Sequence, residues 1–518
     1  YSRLTKDEIE GIAHDVMSEC ERRGRIINVE EIQDLVENAL MDSGHHDVAR
    51  HYITYRYERS AQRGMSDFEK KVLTIADNKS ETQKQENANK NVTIEAVKRD
   101  AFAGTLSREM TAKYLLPEDI VKAHEEGIIH FHDADYFLGH IHNCELINVA
   151  DMLENGTVIN NVYLESPDTF STAATIVTQA VLSVTSSSYG GATISLAHLV
   201  PYVDKTRKRF RQRIEQENKR DGLGLTEEQI TKLVEEQTRQ DIRKGLNALV
   251  YQNITFLSGV NGQASFLSEF MYLNEVPEEQ RDDMAYLIEQ TLKLRYRGVQ
   301  DPEGNWINPT FPKLLYVLQD DNIHPGDKYY YLTELAVKCS AKRMVPDYIS
   351  EKVMLENKID ANGEGHCYPC MGCRSFLTPY IDKDGNPKYY GRFNQGVCSL
   401  SLPDVALSSH GDLDEFWKIF DERLELVHRA LQCRHERLEG TLSDAAPILW
   451  QYGALARLKP GEKIDPLLHG GYSTISLGYA GLYECVKYMT GKSHTEPEGF
   501  EFAKQVMQHM NDKCAEWK

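Results

Sequence analysis

Three cysteines crowd into Cys367-Tyr-Pro-Cys370-Met-Gly-Cys373-Arg-Ser-Phe-Leu. Thiolates at this spacing hold zinc or iron–sulfur centres, but a fourth ligand at suitable spacing is missing. Gly372-Cys373-Arg374 also puts a thiol on a tight turn beside a cation, the setting of a reactive cysteine at a loop tip. Small buried residues in a turn are the third reading, and Cys367 and Cys370 fit a purely structural role. A little further on, Tyr390-Gly-Arg-Phe-Asn394-Gln-Gly-Val397 leads into the apolar alternation Cys398-Ser-Leu-Ser-Leu402, a loop entering a strand with Asn394 at its mouth. Asparagine there is often a turn residue. It gains chemical meaning if its amide faces the cavity of Cys373.

A second cysteine context is His130-Phe-His132-Asp133-Ala-Asp135-Tyr136 followed by His140-Ile-His142-Asn143-Cys144. Four histidines and two aspartates within fifteen residues suggest a metal site. The His-x-His alternation equally suits hydrogen bonding from one strand face. Near the C-terminus, Gly470-Gly-Tyr-Ser473-Thr474-Ile-Ser476-Leu-Gly478-Tyr-Ala-Gly481 reads as a Gly/Ser/Thr loop running into a helix, where free amides and hydroxyls would cradle phosphate. Ser186-Ser-Ser-Tyr189-Gly190-Gly191 reads as a close-packing turn. Lys205, Arg207, Lys208, Arg209, Arg211 and Arg213 place six cations in nine residues, either a solvated helix face or a phosphate-binding surface.

These residues need a scaffold, and the 518 residues suffice for two to four domains. Residues 1–62 read as three short helices, with capping-box spacing at Thr5/Glu8 and Asn28/Glu31. Residues 63–95 end in the polar run Ser80–Asn91 and read as a linker. From residue 96 to 518, amphipathic helices alternate with short apolar runs, which predicts one large α/β unit. Strands are expected at Ile128–Phe131, Leu314–Leu318 and Ile254–Leu257, and helices at Thr172–Ser186, Glu227–Ala248 and Asp414–Leu431. The apolar share of 41% and charged share of 27% are those of a globular protein. A net charge of −20 argues against coating DNA or an anionic membrane. No stretch approaches the roughly 18 apolar residues of a membrane span. Ten cysteines are too few for a disulfide scaffold, so free thiols in a reducing cytoplasm are expected.

Taken together, the segments resemble the large subunit of anaerobic (class III) ribonucleotide reductase, a glycyl-radical enzyme. The resemblance covers about residues 87–518. It rests on Glu86-Asn-Ala-Asn89, His130–Asp135, Asn143-Cys144, Tyr189–Gly191, Met371-Gly-Cys-Arg-Ser-Phe376, Gly391–Gly396 and Ser476–Leu482. Residues 1–62 resemble the latter part of an ATP-cone, with that module's opening hairpin and nucleotide loop expected upstream of Tyr1. The resemblance implies a ten-stranded α/β barrel of two five-stranded halves, threaded by a central active-site loop. It implies that Cys373 at the loop tip becomes a thiyl radical, and that Cys144 donates to the departing 2′-hydroxyl. Asn394 would bind substrate and organise the reductant. Met371, Ser473, Thr474, Ser476 and Gly478 would contact the ribonucleoside triphosphate. Asn143-Cys144 paired with Asn394 resembles the branch that uses formate as reductant. The resemblance further implies ATP/dATP and dNTP effectors, a radical-SAM activating enzyme and a homodimer with Lys205 and Arg207 near the effector.

The family closes with a zinc domain and a glycyl-radical loop, and neither is found after Glu484. The sequence as it stands therefore has no metal site of its own and is expected to bind nucleotide without turning over, a truncation or an omitted domain explaining the rest. Three alternatives remain open: a glycyl-radical enzyme of the formate-lyase type, a catalytically inactive nucleotide-binding fragment, and a metal-cluster protein built on Cys367, Cys370 and Cys373.

Overall fold

A computed structural model describes residues 4–23, 29–64, 67–81, 92–255, 264–372 and 375–518. The chain divides into two compact units, Tyr1–Glu81 and Thr82–Lys518. The first is helical: Lys6–Arg22, Val29–Asp42, His46–Gly64 and Asp67–Ala76. Thr5 caps the opening helix in a capping box, its backbone N–H donating to Glu8 Oε2 at 2.7 Å. Val16, Leu40, Ala49 and Ile75 are buried within the unit. The last helix lies in the span read as a linker, because Phe68, Val72 and Ile75 repeat at helical spacing and give it an apolar face. Most of the polar run, residues 82–91, lies outside the described residues, as does Asn28.

The second unit is mixed α/β. Its strands are β1 (Ile129–Phe131), β2 (Glu145–Leu146), β3 (Thr157–Ile159), β4 (Val162–Leu164), β5 (Ala192–Ser195), β6 (Leu267–Met271), β7 (Val299–Gln300), β8 (Trp306–Ile307), β9 (Lys313–Leu318), β10 (Asp347–Ser350), β11 (Arg392–Ser401) and β12 (Thr474–Ala480). Among the described residues, β3–β4 and β7–β8 form small ribbons, and the other eight strands make one sheet. Five of them, β2, β5, β6, β9 and β10, run parallel in that order. Their helical crossovers cover the sheet with a core that includes Phe170, Val181, Leu246, Leu267, Ile288 and Leu314.

β11 joins this parallel half to the rest. Its first residues pair antiparallel with β2, and its later ones pair with β1 and, in parallel, with β12. The register shifts between Asn394 and Val397, so Gln395 and Gly396 form a bulge. A second core lies over this side, where Phe416, Phe420 and Leu424 of the helix Leu413–Leu438 meet Phe131, Cys398 and Leu400.

The strands expected at Ile128–Phe131 and Leu314–Leu318 are β1 and β9, and the three expected helices form as Phe170–Thr185, Glu227–Thr255 and Leu413–Leu438. Ile254 and Thr255 correct the strand expected there. They complete the last turn of a long helix, and residues 256 and 257 lie outside the described residues.

Glu275 ties three segments of the parallel half. Its half-buried carboxyl accepts hydrogen bonds from Ser195 at the end of β5 and from the Tyr390 hydroxyl ahead of β11. Burial pushes its pKa from the usual 4.5 up to about 7, against those two hydrogen bonds. The folded state therefore holds this proton more tightly than the unfolded chain. The stability it contributes is complete below the unfolded value and is lost as pH rises through about 7. Glu275→Gln should flatten the decline in urea midpoint between about pH 5 and 8. An identical slope in variant and parent would contradict this role.

Candidate functional site

The candidate site sits where β2, the turn before β5 and the start of β11 meet. Cys144 precedes β2 and is buried. Its neighbours across the sheet are set by backbone pairing: Asn143 N–H donates to Asn394 O at 3.0 Å, and Asn394 N–H donates to Cys144 O at 2.7 Å. These bonds place the two asparagine side chains together, Asn143 Nδ2 lying 3.5 Å from Asn394 Oδ1. Cys144 Sγ donates to Asn143 Oδ1 at 3.3 Å and accepts from Gly191 N–H at 3.2 Å.

The turn Gly190-Gly191 passes so close that only glycine fits. A Cβ at 190 would collide with Asn143 Oδ1 and Cys144 Sγ, and one at 191 would collide with Gly372 Cα and Phe266. The loop carrying Gly372 is a narrow hairpin. Met371 N–H donates to Ser375 O at 2.7 Å, and Thr193 Oγ1 of β5 donates to Cys370 O at 2.8 Å. Gly372 has a positive φ of 41°. A Cβ there would stand 3.3 Å from Cys144 Sγ. Cys373 and Arg374 themselves lie outside the described residues. The ends that flank them are anchored, one in contact with the surroundings of Cys144.

Asn394, fully buried at the bulge, directs its Nδ2 to Thr474 Oγ1 at 3.1 Å and Ser476 Oγ at 2.8 Å. Ser473, Thr474, Ser476 and Gly478 correct the loop-into-helix turn expected here. They do not open a helix: Thr474–Ala480 is β12, paired in parallel with β11, and the next helix begins at Leu482. The alternation Ile475, Leu477 against Ser476, Gly478 satisfies strand pairing, and Gly478 leaves room for the Ser399 side chain. The hydroxyls of Thr474 and Ser476 thus face Asn394, while Ser473 Oγ donates to Leu467 O at 2.7 Å.

Two residues that sequence reasoning passed over shape the site. Gln395, buried in the bulge, donates from Nε2 to Leu468 O and to Ser473 Oγ, each at 2.9 Å. Arg392 is buried, and its guanidinium donates to Thr378 O, Lys388 O, Gly471 O and Tyr472 O, clamping the hairpin's flank to the β12 approach. Both lie in the Gly391–Gly396 segment, where an arginine or glutamine inside an apolar strand is the available signal.

The four histidines of residues 130–144 do not gather at one point: the His130 and His132 rings meet edge to face, centroids 4.4 Å apart, and the other two turn to separate partners. His132 Nε2 meets Ser399 Oγ at 2.8 Å, His140 meets Thr441 at 3.2 Å and His142 meets Glu145 at 3.0 Å. Burial pushes His132 down to about 4, aided by the neighbouring His130 and the Arg434 guanidinium. A neutral imidazole is the form it keeps. Cys367 is likewise held as a thiol, pushed up to about 12 by burial and by the carboxylates Glu351 and Glu275. Cys370 packs among Phe270, Leu315 and Val317. The described residues group no cysteine with other metal-ligating side chains.

The basic run lies on the helix Val200–Asp221 and is met by carboxylates. Arg207 pairs with Asp283 at 2.8 Å and Glu235 at 3.3 Å, Lys208 with Asp204, Arg209 with Asp168, and Arg211 with Glu227 and Glu215. Lys205 Nζ donates to Ser166 Oγ at 3.2 Å and lies over the Tyr202 ring. It meets no carboxylate among the described residues.

A family model for anaerobic ribonucleoside-triphosphate reductase matches residues 86–518, and one for the ATP cone domain matches residues 2–61. The chain is 32% identical to the anaerobic ribonucleoside-triphosphate reductase of Salmonella typhimurium over 98% of its own length and 69% of that protein's. It is 34% identical to the reductase of the same name from Enterobacteria phage T4 over 83% of its length and 68% of that protein's. In fold it is similar to the Thermotoga maritima anaerobic ribonucleotide reductase solved with dATP and CTP. That match has a TM-score of 0.53 at 16% identity and covers 100% of this chain and 75% of that one.

The packing at Gly190 supplies a direct test. Gly190→Ala forces a methyl group between Asn143 and Cys144 and should cost about 1–3 kcal/mol, seen as an earlier urea midpoint. An unchanged midpoint would show that the two segments do not meet as closely as described. The three strand-borne segments around Cys144 occur in a chain whose matched length and identity are those of one enzyme group: the chain belongs to the anaerobic ribonucleoside-triphosphate reductase family.

Proposed function

We propose that this chain reduces ribonucleoside triphosphates to 2′-deoxyribonucleoside triphosphates, with Cys373, Cys144 and Asn394 as the reacting and substrate-holding groups. The observation that supports the reading most is the meeting of Cys144 Sγ, the paired amides of Asn143 and Asn394, and the Gly372 end of the hairpin. A glycyl radical, carried by a zinc-bearing C-terminal domain and generated by a radical-SAM activating enzyme, would supply the unpaired electron.

Cys373 would give its S–H hydrogen to that radical, take the 3′ hydrogen of the ribose as a thiyl radical, and return it to C3′ once C2′ has been reduced. A thiol suits this step because its S–H bond is close in strength to the C–H bond, so the transfer is nearly balanced. Cys144 gives its hydrogen to the 2′-hydroxyl, which leaves as water. Formate provides the two electrons and departs as carbon dioxide. In sum, formate, a proton and the ribonucleotide give carbon dioxide, water and the deoxyribonucleotide. Asn394 holds substrate and reductant through its amide, oriented by Thr474 and Ser476. Met371, Ser473, Thr474, Ser476 and Gly478 are the proposed contacts of the ribonucleoside triphosphate. The buried position of Cys144 keeps dissolved oxidants and reductants away from the reacting groups.

Two measurements test this. Label from formate should appear in carbon dioxide in proportion to product, and Cys373→Ser in the activated reductase should abolish product while nucleotide still binds. Full-rate turnover with a dithiol and no formate, or substantial activity of the serine variant, would defeat the reading.

Regulation follows the same lines. We place a homodimer in the cytoplasm, with ATP or dATP acting at the cone and dNTP effectors near Lys205 and Arg207. Arg207 is already engaged by Asp283 and Glu235, so the available cation is Lys205. Lys205→Glu should weaken dNTP effector binding in calorimetric titration and leave substrate affinity unchanged. Equal affinity for the effector in parent and variant would return the run to ordinary surface charge.

A further inference from the structure

His435 and Glu439 stand four residues apart at the C-terminal end of the helix Leu413–Leu438, which sets both on one face. The turn ahead of β12 brings His469 to them. Glu439 Oε1 lies 3.5 Å from His435 Nε2 and 3.9 Å from His469 Nε2. The three donor atoms all fall within 4.8 Å of one another. The two imidazoles meet edge to face, centroids 4.8 Å apart.

The hydrogen bonds behind His435 determine which nitrogen it presents. Leu468 O can only accept, so the atom of Gln395 facing it at 2.9 Å is the amide nitrogen. Gln395 Oε1 therefore faces His435 Nδ1, 2.8 Å away, and that nitrogen carries the hydrogen. In the neutral ring, Nε2 then aims a lone pair at the carboxylate of Glu439. Two electron-rich groups at that distance have room to share a cation. Metal-ligating histidines are held in this same way, the distal ring N–H donated to a fixed acceptor.

We propose that His435, Glu439 and His469 form a binding site for a divalent first-row transition cation, with zinc the best match. Two imidazoles and one carboxylate are a common zinc set with a fourth position left for water. Tetrahedral zinc holds its donor atoms about 3.3 Å apart. His469 is followed by Gly470 and Gly471, at φ 65° and 83°, and open space surrounds Gly470, so its turn has room to close by the needed fraction. The bound cation ties the end of the long helix to the approach of β12. Through Gln395 it also braces the bulge beside Asn394.

The test is a titration of this chain with cobalt(II), read from its visible d–d bands and followed by displacement with zinc. One equivalent should bind without a thiolate charge-transfer band, since the cysteines take no part. His469→Ala and Glu439→Gln change exposed side chains, and circular dichroism checks that each variant is folded. Each should weaken cobalt binding by about tenfold or more. A titration with no stoichiometric binding would overturn the proposal. So would affinity unchanged in both variants, or a charge-transfer band that reports cysteine ligation.

Discussion

The candidate site depends on three backbone segments approaching one another with no side chain between them. Gly190 lies against Asn143 and Cys144, and Gly191 lies against Gly372. Interiors are packed at crystal-like density, so a single methyl at either glycine has nowhere to go. The approach places the Cys144 sulfur within reach of the Gly191 amide and beside the hairpin end. The rest of the parallel half serves this meeting. β2 carries Cys144 in, β5 receives the Gly190-Gly191 turn, and Thr193 of β5 tethers the hairpin through Cys370 O.

The bulge in β11 is the second requirement. A regular strand would alternate Asn394 and Gln395 across the sheet and continue the same pairing. The register shift lets both side chains be buried and used. Asn394 faces the hydroxyls of β12 and the amide of Asn143, while Gln395 braces Leu468, Ser473 and His435. Buried amides left without partners would each cost about 1–3 kcal/mol, so this network also fixes where β12 and the 468–473 turn can lie. The fold and the polar groups of the site are thus held by the same bonds.

Local pattern made much of the fold legible. The helices Phe170–Thr185 and Leu413–Leu438 carry an apolar stripe at helical spacing, and β1 and β9 are short apolar runs bounded by polar residues. Long-range pairing made the rest illegible. Ser473–Gly478 has the composition of a phosphate loop and becomes a strand because β11 is there to pair with it. Ile254 and Thr255 have β-branched side chains but no neighbouring strand, and the helix from Glu227 runs on through them. Arg207, Arg209 and Arg211 of the basic run are paired with Asp168, Glu227, Glu235 and Asp283, which belong to other segments. Cys144 and Asn394 were each visible as chemistry-bearing residues. That they share backbone hydrogen bonds 250 positions apart (394 less 144) is a property of the sheet.

The central proposal is that Cys373, which follows the Gly372 that lies against Gly191 and Cys144, shares one reaction site with Cys144. A short bifunctional thiol reagent tests it most directly, with the joined peptides identified by mass spectrometry. The account predicts a Cys144–Cys373 link that forms in the free protein and is suppressed when a ribonucleoside triphosphate is added. If each thiol is labelled singly but the two are never joined, the two cysteines do not share a site and the account is contradicted.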